Sequence, residues 1–180
     1  QGWVALLAER LPDWRVINAS VSGETTGGGL ARLPEALARH EPDLVILELG
    51  GNDALRGYPV SSIRDNLREM VRLARAEADE VLLLGMQIPP NYGPRYTREF
   101  ARAFQEVAEA ESVALVPFFL QQVALEPALM QDDGIHPTAA AQPLLLEALW
   151  PTLAPLLEAA QSAQEPSAAG ASGLAAASAQ

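Results

Sequence analysis

The chain has 180 residues, and 49% of them are hydrophobic, which predicts one folded domain and excludes global disorder. The 12 basic and 23 acidic side chains give a formal net charge of −11, which argues against nucleic-acid binding, because phosphate contacts need clustered positive charge. The chain contains no cysteine, so disulfides, thiolate nucleophiles and cysteine-ligated metals are excluded. Apolar runs such as residues 44–47 fall far short of the roughly 20 residues that a membrane-spanning helix needs.

The predicted elements alternate between helix and strand. In chain order, apolar periodicity predicts a helix over residues 2–11, a strand over 15–19, a helix over 30–40, a strand over 43–49, a helix beginning at 62, a strand over 81–86, a helix over 97–111, a strand over 113–116 and a helix over 138–157. Alternation of this kind predicts an α/β fold with a parallel sheet and helices on both faces. In such folds the ligand lies beyond the carboxyl ends of the strands.

Local signals refine three of these helices. Ser62 and Asp65 have the spacing of a capping box, and Pro151 predicts a bend or break in the last helix. The arginines of the helix that begins at residue 62 lie opposite its apolar face, which indicates a solvated surface. From about residue 161 the sequence becomes rich in Ala, Ser, Gly and Gln, so we expect one domain over residues 1–160 and a disordered tail over residues 161–180.

The segment QDDGIHP, residues 131–137, has the spacing of a histidine base and its orienting carboxylate. Gly134 permits a sharp turn, which brings Asp133 toward Nδ1 of His136 and leaves Nε2 free to take a proton. Pro137 suits the first position of a helix. The alternatives are a loop histidine that caps a helix, with Asp133 as a turn residue, or Asp132 as the partner.

Two further loops after strands carry candidate oxyanion ligands. Asn52, in the sequence LGGNDALRG, follows a buried strand, and its side-chain amide can donate to a developing oxyanion. Gly23 follows the predicted strand over residues 15–19, where a glycine exposes its backbone N–H. An Asx turn at Asn52 and a simple turn at Gly23 are the alternatives.

Taken in order, Gly after one strand, Gly-x-Asn-Asp after the next and Asp-x-x-His before the last helix resemble the SGNH hydrolases, also called the GDSL esterase/lipase family. The resemblance covers residues 2–160 and is greatest to bacterial acyl-CoA thioesterase I, lysophospholipase and arylesterase proteins. It rests on the segments NASVSGETT, GLARLP, LELGGNDALRG, PPNYGPRY and QDDGIHP. It implies a flavodoxin-like three-layer α/β/α fold with sheet order 2-1-3-4-5.

In that family the nucleophilic serine lies in a Gly-Asp-Ser-Leu block directly after the first strand, and this chain contains neither the block nor that strand. We therefore expect an N-terminally truncated protein whose first central strand is missing and which is inactive alone. The resemblance implies that the complete protein hydrolyses acyl esters or thioesters, such as lysophospholipid, acyl-CoA or aryl ester, through an acyl-enzyme. Asp133 and His136 would be catalytic, and Gly23 and Asn52 would form the oxyanion hole.

The remaining expectations concern ligands and location. Four residues near the predicted site are candidates for the lining of an acyl pocket: Leu55, Ile88, Asn91 and Tyr92. We expect no cofactor, no metal, no nucleic-acid partner and no stable membrane insertion, and the sequence leaves the oligomeric state open. Relatives of this type favour a periplasmic or secreted location over the cytoplasm. The alternative function is a non-catalytic module that binds acyl or glycan esters.

Overall fold

The computed structural model describes residues 2–164. Its helices and strands are α1 (Trp3–Arg10), α2 (Thr26–His40), β1 (Leu44–Leu47), α3 (Gly51–Leu55), α4 (Val60–Glu77), β2 (Glu80–Leu84), α5 (Pro94–Glu111), β3 (Ala114–Val116) and α6 (Gln142–Gln164). Short 3₁₀ turns lie at Pro90–Tyr92, Pro127–Leu129 and Ala139–Ala141.

The strands of the described residues form one parallel sheet in the order β1-β2-β3. In its register Leu47 pairs with Leu83, and Leu84 pairs with Val116. The strand predicted over residues 15–19 is wrong, because this segment belongs to no sheet. Strand formation needs a hydrogen-bonding neighbour, and no strand lies beside this segment in the described part of the chain.

Helices cover both faces of the sheet, as the three-layer α/β/α prediction requires. The side chains of β2 alternate between the two cores, since Leu83 faces α4 and α5 whereas Leu82 and Leu84 face α1 and α6. One core is built on Phe100 and Phe104, whose rings meet edge to face. This alternation explains why β2 reads as a continuous apolar run, since both of its faces are buried.

Two helices begin earlier than predicted. α2 starts at Thr26, where the Thr25 side chain accepts a hydrogen bond from the Gly28 N–H, so residues 26–29 are helical and not part of a polar loop. α4 starts at Val60, which places Ser62 inside the first turn, and no side-chain capping bond forms at its start. The predicted capping box is therefore wrong.

The arginines of α4 form ion pairs with glutamates of α5. Arg64 pairs with Glu106, and both Arg68 and Arg72 pair with Glu111. Arg75 also donates to the backbone carbonyl of Glu111. These contacts join α4 to α5, and the Glu111 carboxylate that Arg68 and Arg72 share is only 12% exposed.

The last helix runs without interruption through Pro151 and Pro155 to Gln164, so the predicted break at Pro151 is wrong. The first four residues of the predicted tail are helical, and residues 165–180 lie outside the described residues. Within residues 2–164, no helix has both the length and the apolar character needed to span a bilayer.

A cavity of about 350 Å³ lies beside the free edge of β1. Its walls include residues 44–49 on one side and residues 15–21 on the other, and Leu7, Leu37 and Leu153 contribute to its apolar lining. β1 pairs only with β2 in the described structure, so its backbone groups on the cavity side have no strand partner. We call this feature the β1-edge cavity.

Candidate active site

The Asp133 carboxylate makes three hydrogen bonds, two to His136 and one to Ile135. Its Oδ2 atom lies 2.7 Å from Nδ1 of His136, and its Oδ1 atom accepts from the backbone N–H groups of Ile135 at 2.9 Å and His136 at 3.0 Å. The carboxylate is thus both a turn residue and the histidine's partner. Asp133, and not Asp132, makes the side-chain contact.

The loop that carries this pair is closed by its own backbone. Gln131 N–H donates to the His136 carbonyl at 2.8 Å, Met130 and Pro137 form an isolated antiparallel bridge, and Gly134 turns the chain with a φ of 65°. Pro137 therefore does not begin a helix, and that prediction is wrong.

The environment of the pair suits a proton transfer at Nε2. The hydrogen bonds from the His136 side chain and from the His136 and Ile135 backbone lower the pKa of Asp133 to about 2, so the carboxylate stays ionised under ordinary conditions. The His136 side chain is 65% exposed, which leaves Nε2 accessible while Nδ1 is engaged. A carboxylate on Nδ1 selects the tautomer with a free Nε2 and stabilises the imidazolium that forms on protonation.

Gly23 and Asn52 are held near each other by contacts between α3 and the segment that precedes α2. Asn52 is in α3, and its Nδ2 atom donates to the Glu24 carbonyl at 2.9 Å, so it forms no Asx turn. Gly23 has a φ of 75°, which a residue with a side chain rarely adopts, and its carbonyl accepts from Arg56 at 3.3 Å. One hydrogen of the Asn52 amide group remains for a ligand, because a primary amide carries two.

Sequence reasoning missed a buried network beneath these residues. The Asp53 carboxylate, only 2% exposed, accepts from the N–H of Thr26 at 2.8 Å and from its hydroxyl at 2.6 Å. Asn66 of α4 donates to the same hydroxyl at 3.0 Å. The available signal was an aspartate in a short segment after a buried strand, but its partner lies 27 residues away in the sequence.

The Asp133–His136 pair and the Gly23–Asn52 pair are not joined by a hydrogen bond or ion pair among the described residues. Asn52 follows β1 and the histidine loop follows β3, and the carboxyl ends of parallel strands lie at one edge of a sheet. Sheet topology therefore puts both pairs on the same side of the molecule.

The four candidate lining residues lie on two segments next to this edge. Leu55 is half-buried at the end of α3, Ile88 packs against the core, and Asn91 and Tyr92 are exposed in a 3₁₀ turn. Tyr96 links the segments, since its hydroxyl donates to the Tyr58 carbonyl at 2.6 Å. None of the four candidates lines the β1-edge cavity.

Glu48 is a second ionisable group that sequence reasoning did not single out. It follows β1 directly and lines the β1-edge cavity, through which its side chain remains accessible to solvent. Loss of water contact among the surrounding side chains raises its pKa from 4.5 to about 7, while a hydrogen bond from the Trp3 side chain opposes the shift. An acid of this kind is sensitive to whatever fills the cavity, because its neutral form is favoured by removal from water.

Comparison with known proteins matches the chain to one family of lipases and acylhydrolases and to relatives named as esterases and thioesterases. The model of the GDSL-like Lipase/Acylhydrolase family matches residues 1–143. Esterase TesA of Pseudomonas aeruginosa is 58% identical over 161 residues, a match that covers 87% of this chain and 80% of that protein. Thioesterase 1/protease 1/lysophospholipase L1 of Escherichia coli strain K12 is 42% identical over 159 residues, covering 86% of this chain and 75% of the relative.

The fold is also similar to that of a solved structure. The crystal structure of TesA superimposes with a TM-score of 0.83 at 58% identity, covering 86% of this chain and 88% of the solved one. This similarity agrees with the parallel sheet and the helices on both of its faces.

Proposed function

Because this chain belongs to the GDSL-like lipase/acylhydrolase family, we propose that the Asp133–His136 pair and the Gly23–Asn52 pair are two parts of one site for hydrolysis of acyl esters and thioesters. Ester and thioester hydrolysis is the activity of the family to which the chain belongs, and this chain is a hydrolase of that class. The observation that carries the assignment of residues is the 2.7 Å contact between Asp133 Oδ2 and His136 Nδ1.

His136 is the general base and then the general acid. Nε2 removes the proton of a serine hydroxyl as the serine oxygen attacks the acyl carbonyl, and it later protonates the leaving alcohol or thiol. Water then attacks the acyl-serine with the same base, which releases the carboxylic acid and restores the serine. Asp133 stays ionised throughout and orients the imidazole, which its low pKa supports.

Gly23 and Asn52 stabilise the oxyanion of the tetrahedral intermediate. The Gly23 N–H and the second hydrogen of the Asn52 amide are the donors, and the bond from Asn52 to the Glu24 carbonyl holds the amide beside Gly23. Each such donor typically contributes about 10²–10³ in rate.

The nucleophile in this proposal is a serine at the end of a strand that lies in the β1-edge cavity. Support comes from the unpaired edge of β1 and from the extent of the cavity, which reaches Val21 on one wall and Leu49 on the other. Gly23 and Asn52 follow these two residues closely in the sequence. A strand that ran parallel to β1 through the cavity would therefore end beside the oxyanion ligands.

The substrates of this proposal are small acyl esters and thioesters, as the names of the two relatives indicate. Leu55, Ile88, Asn91 and Tyr92 line the acyl side of the site, on the two segments that Tyr96 and Tyr58 join. The apolar carbons of Leu55 and Ile88 would contact the acyl chain, and Asn91 and Tyr92 would lie at its exposed end.

The test uses a serine-bearing form, which is this chain with a strand peptide that ends in Gly-Asp-Ser-Leu, added in trans or fused before residue 1. Hydrolysis of an aryl ester and an acyl-CoA is measured for this form and for its His136→Ala variant. The variant should lose roughly 10⁶ in turnover, because it lacks the general base, and added imidazole should restore part of it. Undiminished turnover in the variant would overturn the assignment, and ester binding without hydrolysis in the unaltered form would favour the non-catalytic module.

A further inference from the structure

The start of α2 is held by a carboxylate from another helix. The two oxygens of Asp53 accept the Thr26 N–H and the Thr26 hydroxyl, at 2.8 and 2.6 Å. Thr26 has no exposed surface, and Asp53 is 2% exposed. Water therefore cannot replace either bond if one is lost.

The chemistry of this contact requires an acid at residue 53. Thr26 presents two donors, and its hydroxyl oxygen is already occupied by the donor Asn66, 3.0 Å away. A carboxylate offers two acceptor oxygens, whereas an asparagine would turn an NH2 group toward one of the donors. The negative charge also lies at the amino end of α2, where the helix dipole favours it.

Two residues near Asp53 also donate hydrogen bonds to the segment that precedes α2. Asn52 donates to the Glu24 carbonyl at 2.9 Å, and Arg56, directly after α3, donates to the Gly23 carbonyl at 3.3 Å. The segment from Gly23 to Thr26 is thus attached at both ends. The carbonyls of Gly23 and Glu24 accept from Arg56 and Asn52, and Thr26 donates to Asp53. A shift of Thr26 would move the Gly23 N–H and the Asn52 amide relative to each other.

We propose that Asp53, acting through Thr26, is a positioning residue that fixes the distance between the two oxyanion donors, Gly23 and Asn52. Asp53 touches no substrate in this assignment. The oxyanion role of Gly23 and Asn52 rests on the proposed function, whereas the positions of the two donors do not. Asn66 completes the arrangement by orienting the Thr26 hydroxyl toward the carboxylate.

The first experiment uses the chain without any addition. Amide NMR resonances of the Gly23 backbone and the Asn52 side chain are compared in the unaltered chain, in Thr26→Val and in Thr26→Ser. Thr26→Val is close in shape but lacks the hydroxyl, so both resonances should shift and the Asn52 amide should exchange faster with solvent. Thr26→Ser keeps the hydroxyl and should preserve both resonances.

The second experiment measures ester hydrolysis in the serine-bearing form. Thr26→Val and Asp53→Asn should lower kcat by roughly 10- to 100-fold with KM nearly unchanged, because misplaced donors weaken transition-state binding more than substrate binding. Thr26→Ser should restore kcat. If Thr26→Val fails to fold, Asn66→Ala gives the milder test, since it removes only the donor to the Thr26 hydroxyl. It should lower kcat in the same direction but by a smaller factor.

Unshifted resonances and an unchanged kcat in a folded Thr26→Val or Asn66→Ala variant would overturn the inference. Shifted resonances in a chain whose serine-bearing form hydrolyses nothing would support the positioning role of Asp53 and contradict the proposed function instead.

Discussion

Asp133 binds His136 twice, once at the backbone N–H through Oδ1 and once at the ring Nδ1 through Oδ2. The turn and the histidine orientation therefore depend on one carboxylate. This double role allows the structural and catalytic contributions of Asp133 to be separated by substitution.

Asp133→Asn should lower kcat of the serine-bearing form by about 10⁴ while leaving the loop largely intact. The asparagine oxygen can still accept the backbone N–H groups of Ile135 and His136, but its NH2 group would face Nδ1 and favour the wrong tautomer. Steady-state ester hydrolysis measures the effect, and Asp132→Asn is the matched control, because the carboxylate that pairs with the ring belongs to Asp133. Equal losses in the two variants would refute the assignment.

Asn52→Ala should reduce kcat by about 10²–10³ with a small change in KM. The same substitution leaves the Glu24 carbonyl without its partner, so the free energy of unfolding should fall by about 1 kcal/mol. Hydrolysis kinetics and urea unfolding of the same samples separate the two effects. A stability loss without a loss of kcat would limit Asn52 to a structural role.

Gly23→Ala should lower both stability and kcat, because an alanine at a φ of 75° costs about 1–2 kcal/mol and relief of that strain would turn the N–H away from the oxyanion. Gly57→Ala is the control. Gly57 has a φ of 71°, and a methyl group added at either glycine would meet no other atom within 4 Å, so the two substitutions introduce the same strain. Thermal unfolding should respond alike in both variants, whereas kcat should fall only in Gly23→Ala; a matching loss in Gly57→Ala would contradict the donor role.

Glu48 should make the stability of the chain fall as pH rises. Its pKa is raised from 4.5 to about 7 in the folded state, so the folded chain binds the extra proton between these values. The resulting stabilisation is complete below the ordinary pKa and is lost as pH rises through about 7. Urea unfolding between about pH 5 and pH 8 should give a decreasing midpoint for the unaltered chain and a flatter profile for Glu48→Gln. Identical profiles would contradict the raised pKa of Glu48 in the folded chain.

The Asp133–His136 contact, which the sequence predicted correctly, is local. Asp133 and His136 are three residues apart, and the turn at Gly134 is enough to bring them together. The contacts that sequence reasoning missed, from Asp53 to Thr26 and from Asn52 to Glu24, join residues 27 and 28 positions apart. Such pairs depend on how α3 packs beside the start of α2, which no local pattern specifies.

The same distinction explains the fold-level errors. Residues 15–19 have the composition of a strand, but a strand is defined by its neighbour, and the β1-edge cavity lies where that neighbour would be. The early start of α2 was missed because its first turn contains three glycines, which disfavour a helix, while the stabilising bonds come from Thr25 and from the distant Asp53.

The most direct test of the account is fluorophosphonate labelling of the chain with the strand peptide, followed by mass spectrometry. Trp3 and Trp14 line the β1-edge cavity, so their fluorescence reports peptide binding independently of chemistry. We expect the peptide that ends in Gly-Asp-Ser-Leu to bind and to be labelled at its serine, and the same peptide with alanine at that position to bind without labelling. Labelling should be lost in His136→Ala. A serine peptide that binds in the cavity but is not labelled, or labelling that persists with the alanine peptide, would contradict the account.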